Sequence, residues 1–292
     1  MHIALLGNAG SWYAEDLLRA AGDRHTIVAV GYQHLSSEVD LSGDSSSATT
    51  VYSQGNCLNQ FDAVLIRSMP PGSLEQIVFR MDALANLAAS GVQVVNPPRA
   101  IEVAVDKYLA TTRLAAAGLL VPRTIACQTV EQAMAAFESF GPDVVLKPLF
   151  GSEGRGIVRL SDPEIALRTF TALTQIGAVI YLQEFIEHQG SDLRLLVIGS
   201  EVFGMRRRNH TDWRTNISRG AVAEPLEVTP QLVELAHRAA EAVSAPLAGV
   251  DILPARDGRL VAIEVNAVPG WKALSQVTGV DIAAKVLAFL EN

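Results

Sequence analysis

The chain has 292 residues, of which 49% are hydrophobic and 18% charged, which is enough for about two or three domains of ~100–150 residues. Its formal net charge of -8 argues against a nucleic-acid-binding protein, because such proteins normally carry a basic face. Cys57 and Cys127 form no CxxC pair, which argues against a disulfide framework or a zinc site and fits a reducing compartment. With no signal-peptide start and no apolar run near the ~20 residues of a membrane span, the sequence predicts a cytoplasmic protein without a membrane partner.

Residues 1–96 alternate strand and helix patterns. HIALLG, TIVAVGY, FDAVLIRS and VQVVN read as strands, the helix YAEDLLRAAG ends at Gly22, and the helix LEQIVFRMDALANLAASG ends at Gly91. The polar stretch 36–50 is predicted to be a surface loop. This βαβ alternation predicts a parallel sheet covered by helices. The GNAG after the first strand does not match GxGxxG, so a tight turn is favoured over a dinucleotide site.

The pair Pro97–Pro98 suggests a boundary, and the pattern changes again near residue 183. A helix over Ala100 to Ala117 comes next, and strands TIACQ, VVLKP and VIYLQEFI alternate with two further helices. Hairpins are predicted around Gly199–Ser200 and Asp257–Gly258, with an amphipathic helix, DIAAKVLAFL, at the end. The predicted division is 1–96, 97–182 and 183–292.

The last hairpin, GVDILPARDGRLVAIEVN, is predicted to bring two carboxylates face to face. If Asp257–Gly258 forms the turn, Arg256 pairs with Arg259, Ala255 with Leu260, and Asp251 lies opposite Glu264. Asn266 shares that face. Opposed carboxylates repel unless a cation lies between them, and this oxygen set suits Mg²⁺ with substrate phosphates. The alternative is a bulged hairpin, which Pro254 permits, with the carboxylates in solvent.

The stretch VVLKPLFGSEGRG ends an apolar strand with Lys147 and continues into a glycine loop over 151–156. A buried lysine needs an anionic partner, and glycine loops can present backbone N–H groups to phosphate. The order is not that of a P-loop, since the lysine precedes the glycines. Taken alone, the loop is equally compatible with a phosphate lid and with a plain flexible connection.

Five arginines lie within fourteen residues of this acidic chain: Arg206, Arg207, Arg208, Arg214 and Arg219. Guanidinium groups bind phosphate and carboxylate through two-point contacts. The alternative is a solvated edge strand that charge protects from pairing. Strand alternation lets only some of the three consecutive arginines face one site, and we favour functional roles for Arg207 and Arg219.

Together these motifs resemble those of the ATP-grasp ligases, and within them the RimK-like amino-acid ligases. The resemblance rests on AVDKYLATTRLAAAGLLVP, VVLKPLFGSEGRGI, YLQEFIEHQGSDLRLLVIG, WRTNISRGA, GVDIL, AIEVNAVPGWKAL and TGVDIA, in that order. It is close over residues 100–292 and loose over 1–99. The stretch IRSMPPGSLEQIVFRMDAL is similar to ligases associated with tetrahydromethanopterin-type or methylofuran-type cofactors. The chain departs from its relatives at Ala221, where they have a second glycine, and in the MRRRNHTD run.

The resemblance implies specific roles for these residues. Lys107 and Lys147 would touch ATP phosphates, Asp192 the ribose, and Arg214 and Asn216 the triphosphate. Arg219 and Arg207 would be catalytic, stabilising an acyl phosphate or a tetrahedral oxyanion. The remaining assignments are an adenine hinge (Gln183, Glu184, Phe185 and Ile186), a mobile lid (Gly151, Ser152, Gly154 and Gly156) and ligands to two Mg²⁺, replaceable by Mn²⁺ (Asp251, Glu264 and Asn266).

The implied fold is α/β (α+β): a Rossmann-like pre-ATP-grasp domain and two α+β subdomains that sandwich ATP. The implied activity is ATP- and Mg²⁺-dependent carboxylate–amine ligation through an acyl phosphate, most simply the addition of L-glutamate to a small cofactor-like or peptide acceptor by a dimer or tetramer. Two alternatives stay open. One is a ligase that uses another amino acid or a carrier-protein acceptor, and the other is an ATP-binding regulatory protein without turnover.

Overall fold

The computed structural model describes residues 1–40, 49–141, 143–151 and 154–291. Ser152 and most of the predicted Ser-rich loop lie outside these residues. The helices are α1 Trp12–Ala21, α2 Leu74–Ala89, α3 Pro98–Val105, α4 Lys107–Ala116, α5 Val130–Phe140, α6 Pro163–Gln175, α7 Pro230–Ala242, α8 Lys272–Thr278 and α9 Ile282–Leu290. The strands are β1 His2–Leu6, β2 Thr26–Val30, β3 Leu35–Val39, β4 Thr49–Ser53, β5 Asn56–Cys57, β6 Ala63–Ile66, β7 Gln93–Val95, β8 Thr124–Cys127, β9 Val144–Lys147, β10 Val158–Leu160, β11 Ile180–Glu184, β12 Ser191–Ile198, β13 Glu201–Arg208, β14 Val222–Pro225, β15 Leu247–Pro254 and β16 Leu260–Asn266.

The N-terminal region forms a parallel sheet in the order β2-β1-β6-β7, which confirms the predicted βαβ arrangement. Its strand order reverses between β1 and β6. The predicted loop 36–50 is partly wrong, because β3 pairs with β4 in a separate three-stranded antiparallel sheet, β3-β4-β5. The physical reason is that Leu35 and Val51 are buried in the core, so these polar strands each anchor one apolar side chain.

The central sheet, β10-β9-β11-β8, is antiparallel and packs on α5 and α6. The single helix predicted over Ala100 to Ala117 is two helices, α3 and α4. The break occurs at Asp106, whose backbone is extended and whose Oδ1 accepts hydrogen bonds from the Tyr108 and Leu109 N–H groups at 2.9 and 3.1 Å. An N-cap aspartate therefore ends the predicted run and begins a new helix at Lys107.

The C-terminal sheet has the order β14-β13-β12-β15-β16 and is antiparallel. The hairpin β12–β13 turns at Gly199–Ser200 as predicted. One face of the sheet packs on α7, and part of the other face joins α1, α8 and α9 in a core shared with the N-terminal region. The polar end of this second face carries Asp192 and Asp251. Among the described residues no single helix is long and apolar enough to cross a membrane.

The hairpin β15–β16 places Asp251 opposite Glu264, as predicted, but by a different route. The predicted pair Ala255–Leu260 is wrong, since Leu260 pairs with Pro254, and Arg256 does not pair with Arg259. Instead the Ala255 N–H donates to the Arg259 carbonyl at 2.8 Å. The turn is therefore offset by one residue, and a bulge at Ile263 restores the register before the carboxylates are reached.

Candidate active site

A cleft between the central and C-terminal sheets collects most of the residues that the sequence singled out. Its walls come from the ends of β9 and β11, from β12, β13, β15 and β16, and from the loop before β14. Eleven predicted site residues line it: Lys147, Gln183, Glu184, Phe185, Ile186, Asp192, Arg207, Arg214, Asn216, Asp251 and Glu264. Gly151, Gly154 and Gly156 belong to the glycine loop, Lys107 begins α4, Arg219 ends a short 3₁₀ helix, and Asn266 ends β16.

The carboxylates of Asp251 and Glu264 have the features of a cation site. Asp251 is 2% exposed, and its Oδ1 lies 2.9 Å from Arg194 Nε but has no hydrogen-bond partner. Glu264 makes no hydrogen bond or ion pair with the described part of the chain. Asn266 Oδ1 accepts the Val268 N–H at 2.8 Å and keeps a second lone pair. In the described ranges no group of three or more His, Cys, Asp and Glu side chains could hold a metal alone, so substrate oxygens would have to complete the coordination.

Arg207 is the centre of a buried charge network beside this pair. Its Nε and Nη2 donate to Asp192 at 2.7 and 2.5 Å, and Nη2 also lies 2.9 Å from Asp251 Oδ2. The Thr215 hydroxyl donates to Asp192 Oδ2 at 2.6 Å. Burial lowers the pKa of Arg207, but Asp251 and Asp192 outweigh burial and raise it overall. The pKa of Asp192 is raised, because its own burial outweighs the attraction of Arg207. Two carboxylates thus share one guanidinium.

Sequence reasoning gave no role to Arg194 and Thr215. Arg194 lies two residues from Asp192 on β12 and directly opposite Asp251 on β15, so alternation and register put it on the site face. Its Nη1 is buried without a hydrogen-bond partner. The spacing of Asp192 and Arg194 was the available signal. No comparable signal marked Thr215, because its position depends on how the loop before β14 folds.

Lys147 lies at the end of β9, half-buried beside the carboxylate pair. Burial lowers the pKa of Lys147 to about 8; Glu264 and Asp251 act in the opposite direction, and Lys107 acts with burial. No carboxylate of a described residue lies within 4.0 Å of its Nζ, so the amino group is not neutralised by an ion pair. Such a group favours an anionic ligand, which would raise its pKa.

The glycine loop is held from both sides of the cleft. Lys107 Nζ donates to the Gly151 carbonyl at 2.6 Å, and Arg219 Nη2 donates to the Gly154 carbonyl at 3.4 Å. Arg214 Nη1 reaches the Ile157 carbonyl, also at 3.4 Å. Gly154 has a φ of +70°, and a Cβ there would collide with Asn216 Oδ1, so this position requires glycine. The predicted lid therefore contacts the predicted triphosphate residues directly.

At the predicted adenine hinge, two side chains form structural hydrogen bonds. Gln183 Nε2 donates to the Tyr181 hydroxyl at 2.9 Å and to Thr124 Oγ1 at 3.0 Å. Glu184 Oε1 accepts the Arg123 N–H at 2.8 Å. In the described chain the Ile186 N–H donates to no backbone carbonyl, so the backbone here is available to a ligand.

The sequence of the chain is similar to those of known ligases. Residues 104–290 match the RimK-like ATP-grasp domain. Over 311 aligned positions the chain is 33% identical to the tetrahydromethanopterin:alpha-L-glutamate ligase of Methanosarcina acetivorans, covering 96% of this chain and 95% of the relative. It is 32% identical to the ribosomal protein bS6–L-glutamate ligase of Escherichia coli O7:K1, covering 100% and 96%.

Two solved structures have the same fold. The ATP-grasp ligase PsnB, in complex with a minimal precursor, Mg and ADP, superposes with a TM-score of 0.77 at 20% identity, covering 99% of this chain and 96% of that one. A RimK domain ATP-grasp protein from Sphaerobacter thermophilus gives a TM-score of 0.75 at 25% identity, covering 99% of both chains.

Proposed function

We propose, from the premise that this chain belongs to the RimK-like ATP-grasp family, that it is an ATP- and Mg²⁺-dependent ligase that adds L-glutamate to a carboxylate-bearing acceptor. The observation that carries the proposal is the carboxylate pair: Asp251, which is buried beside Arg194 and Arg207, lies directly opposite Glu264 on the hairpin. Glu264 has no hydrogen-bond or ion-pair partner in the described residues, and Lys147 lies beside the pair without an ion-pair partner among them. Two opposed carboxylates next to a cationic side chain are arranged to receive a cation and the phosphates it carries.

The chain's own residues support this chemistry in separate roles. Lys147 and Lys107 would hold the phosphates, and Arg214 and Asn216 would approach them under the glycine loop, of which Gly151, Gly154 and Gly156 are described. Ile186 N–H would read the adenine edge, with Gln183, Glu184 and Phe185 shaping the hinge. Asp192, predicted to bind ribose, has both oxygens engaged by Arg207 and Thr215, so a ribose hydroxyl would join an existing network.

Asp251, Glu264 and Asn266 would hold Mg²⁺, which when bound supplies Lewis-acid charge neutralisation at the triphosphate. The acceptor carboxylate attacks the γ-phosphate of ATP and gives an acyl phosphate and ADP. The amine of glutamate then attacks the acyl carbon, and the tetrahedral intermediate collapses to an amide and phosphate. No side-chain nucleophile is needed, because positioning and charge neutralisation supply the rate enhancement. Arg219 and Arg207 would stabilise the acyl phosphate or the oxyanion, and the glycine loop would exclude water.

Glutamate is the proposed amino acid because relatives named as glutamate ligases align over nearly the whole chain. The names of those relatives specify two different acceptors, tetrahydromethanopterin and a ribosomal protein. We favour a small cofactor-like acceptor, since the first of these relatives has a slightly higher identity and the IRSMPPGSLEQIVFRMDAL stretch resembles that group. The resemblance to the same family also leads us to propose a second bound Mg²⁺, replacement of Mg²⁺ by Mn²⁺, a dimeric or tetrameric assembly and a cytoplasmic location.

The two alternatives are distinguished from the proposed ligase by different features of the chain. A carrier-protein acceptor predicts docking that weakens with salt, since the chain offers an arginine-rich segment at 206–219. A regulatory protein without turnover has no use for an unpartnered Glu264 next to Asp251. We therefore rank the ligase first.

The test measures ADP release by purified protein given ATP, Mg²⁺ and L-glutamate, with and without a small-molecule extract. Mass spectrometry then reads the products, and the double variant Asp251→Asn, Glu264→Gln is the control. ADP release that needs both extract and glutamate, together with a species that gains glutamyl units, supports the proposal. Binding of ATP without turnover above the control, for every amino acid and extract tried, contradicts it.

A further inference from the structure

Arg67 is a buried arginine outside the cleft, and it has unpartnered donors. It is 6% exposed, and its Nη2 donates to the Pro269 carbonyl at 2.8 Å. Its Nε and Nη1 are buried and have no hydrogen-bond partner. No carboxylate of a described residue lies within 4.0 Å of the guanidinium, which instead lies over the rings of Trp271 and Tyr13, with its Cζ 4.2 and 4.8 Å from their centroids. A buried cation with free N–H donors is costly unless an anion joins it.

Arg67 lies at the edge of the N-terminal sheet where α/β folds commonly bind ligands. Arg67 directly follows β6, and Gly7 directly follows β1, the two strands between which the sheet order reverses. A Cβ on Gly7 would lie 3.2 Å from Arg67 Cβ and 3.3 Å from Ser68 Oγ, so the two strand ends approach each other closely. Helix α1 begins beside them at its N-cap Ser11. Crevices at such switch points, next to a helix N-terminus, favour anions.

The same point adjoins the proposed metal ligands. Pro269, which accepts the Arg67 hydrogen bond, lies three residues after Asn266, so one short segment spans the distance from the cleft to Arg67. A Cβ on Gly249 would lie 3.0 Å from Pro269 Cβ and would also collide with Arg194 Nη1, another buried donor without a hydrogen-bond partner. Pro269 is thus hydrogen-bonded to Arg67 and lies against the same glycine as Arg194 Nη1.

We propose that Arg67, with the β1–α1 loop and the 269–271 segment, forms the binding site for a substrate carboxylate, on the side of the metal ligands away from the nucleotide hinge. This inference rests on the proposed ligase function and specifies where a carboxylate substrate is held. Burial lowers the pKa of Arg67 to about 10, so the group remains a cation at neutral pH and an anionic ligand would reverse the shift.

Binding at this site requires a local movement. Trp271 is fully buried, its Nε1 donates to Asp16 Oδ2 at 3.0 Å, and a Cβ on Gly270 would lie 2.5 Å from the Tyr13 hydroxyl. Because the free donors of Arg67 are themselves buried, a carboxylate reaches them only when the surrounding groups shift. The fluorescence of Trp271 should therefore report whether a carboxylate occupies this site.

Arg80 provides a matched control. It is also a buried arginine of the N-terminal region, 7% exposed, and its Nη1 also donates to a proline carbonyl, that of Pro70, at 2.8 Å. Its guanidinium also faces an aromatic ring, that of Tyr32 at 5.7 Å. It does not line the cleft, and it has no unpartnered buried donor among the atoms described.

The first experiment compares Arg67→Met, Arg67→Lys and Arg80→Met with the wild type in steady-state kinetics. We expect both Arg67 variants to raise the KM of one carboxylate substrate about 10- to 100-fold, because each loses a charge-assisted hydrogen bond to that substrate. The KM of ATP should change less than about twofold. Arg80→Met should leave every KM unchanged. A rise for glutamate assigns the site to the incoming amino acid, and a rise for the acceptor assigns it to the acid that is activated.

The second experiment does not depend on turnover. In protein whose Trp12 and Trp213 are replaced by Phe, Trp271 fluorescence is titrated with L-glutamate and with N-acetyl-L-glutamate, whose amine is blocked, in the presence of a non-hydrolysable ATP analogue. A saturable change that Arg67→Met abolishes supports the site even if no ligation is detected. Unchanged KM values in the Arg67 variants, together with no change that depends on Arg67, would overturn the inference and leave the ligase proposal intact.

Discussion

Two buried guanidinium groups, in the C-terminal and the N-terminal sheet, differ in how their charge is balanced. Arg207 is held by Asp192 and Asp251, so its region is neutralised by the protein alone. Arg67 has aromatic rings and one carbonyl around it, with no carboxylate of the described residues in reach. The difference indicates which region is complete as folded and which awaits a ligand. The carboxylate pair combines both conditions, since Asp251 is ion-paired with two arginines and Glu264 has no ion-pair partner among the described residues.

The substitution that we expect to have the largest effect is Arg207→Met. It leaves Asp192 buried without its counter-charge and Asp251 with Arg194 as its remaining one, so we expect the free energy of unfolding to fall by about 3–5 kcal/mol and ADP release to be lost. Arg67→Met removes the partner of no carboxylate among the described residues, and we expect the unfolding free energy of this variant to stay within about 1 kcal/mol of the wild type. Denaturant titration of both variants gives the two values. Equal destabilisation by the two substitutions would contradict the distinction.

Substitution of Glu264, which has no hydrogen-bond or ion-pair partner among the described residues, should affect catalysis and leave stability nearly unchanged. We expect Glu264→Gln to lower the rate of ADP release by about 100-fold or more, because a metal ligand is worth several kcal/mol at the triphosphate. The unfolding free energy of the variant should change by less than about 1 kcal/mol, since no described protein group is paired with this carboxylate. A loss of stability without a loss of rate would show instead that Glu264 has a structural role. Rate and denaturant measurements on one preparation decide between them.

Titration of Lys147 should make both the stability of the protein and its affinity for ATP depend on pH. Its pKa of about 8 in the free protein lies below its ordinary value of 10.5, so between these pH values the unfolded chain binds more protons and the unfolding free energy rises with pH. Bound phosphates favour the charged form, so ATP binding takes up a proton in the same window and affinity falls as pH rises above about 8. Lys147→Arg removes this titration. Calorimetric Kd values for a non-hydrolysable ATP analogue between pH 7 and pH 10 test the difference, and parallel profiles for both proteins would rule out Lys147 as its source.

Gly154→Ala should have the smallest effect. The φ of +70° costs an alanine about 1–2 kcal/mol of stability. The added Cβ collides with Asn216, a proposed triphosphate residue, and from this collision we expect the KM of ATP to rise about 5- to 30-fold. Gly55 has a φ of +80° with nothing within 4 Å of a built Cβ, so Gly55→Ala carries the backbone cost without the collision. Its KM should match the wild type. A KM effect of equal size in both variants would point to general destabilisation.

Much of the fold was predictable, because local patterns fix it. Hydrophobic periodicity and glycine stops located most helices and strands, and the turn at Gly199–Ser200 fixed the β12–β13 register. The long helix before residue 117 was wrong, because a single cap at Asp106 outweighs a continuous helical pattern. The strands around residues 36–39 and 49–53 were missed because their serines and threonines resemble a loop and their pairing is tertiary.

The candidate site was predictable where one hairpin or one motif contains it. Asp251 and Glu264 were brought together correctly although the turn was misplaced, since the bulge at Ile263 compensates for the turn offset. Arg67 could not have been found in this way. Its partners Pro269 and Trp271 come from a segment about 200 residues away along the chain, and no pattern within the chain specifies that contact. The assigned nucleotide roles remain predictions.

The measurement that tests the central claim most directly is the dependence of ADP release on glutamate and on the small-molecule extract, in wild-type protein and in Glu264→Gln. We predict release that requires ATP, Mg²⁺, glutamate and the extract together, that falls about 100-fold or more in the variant, and that accompanies one or more glutamyl additions detected by mass spectrometry. ADP release that does not depend on glutamate, or that is unchanged in Glu264→Gln, would contradict the proposed glutamate ligase activity.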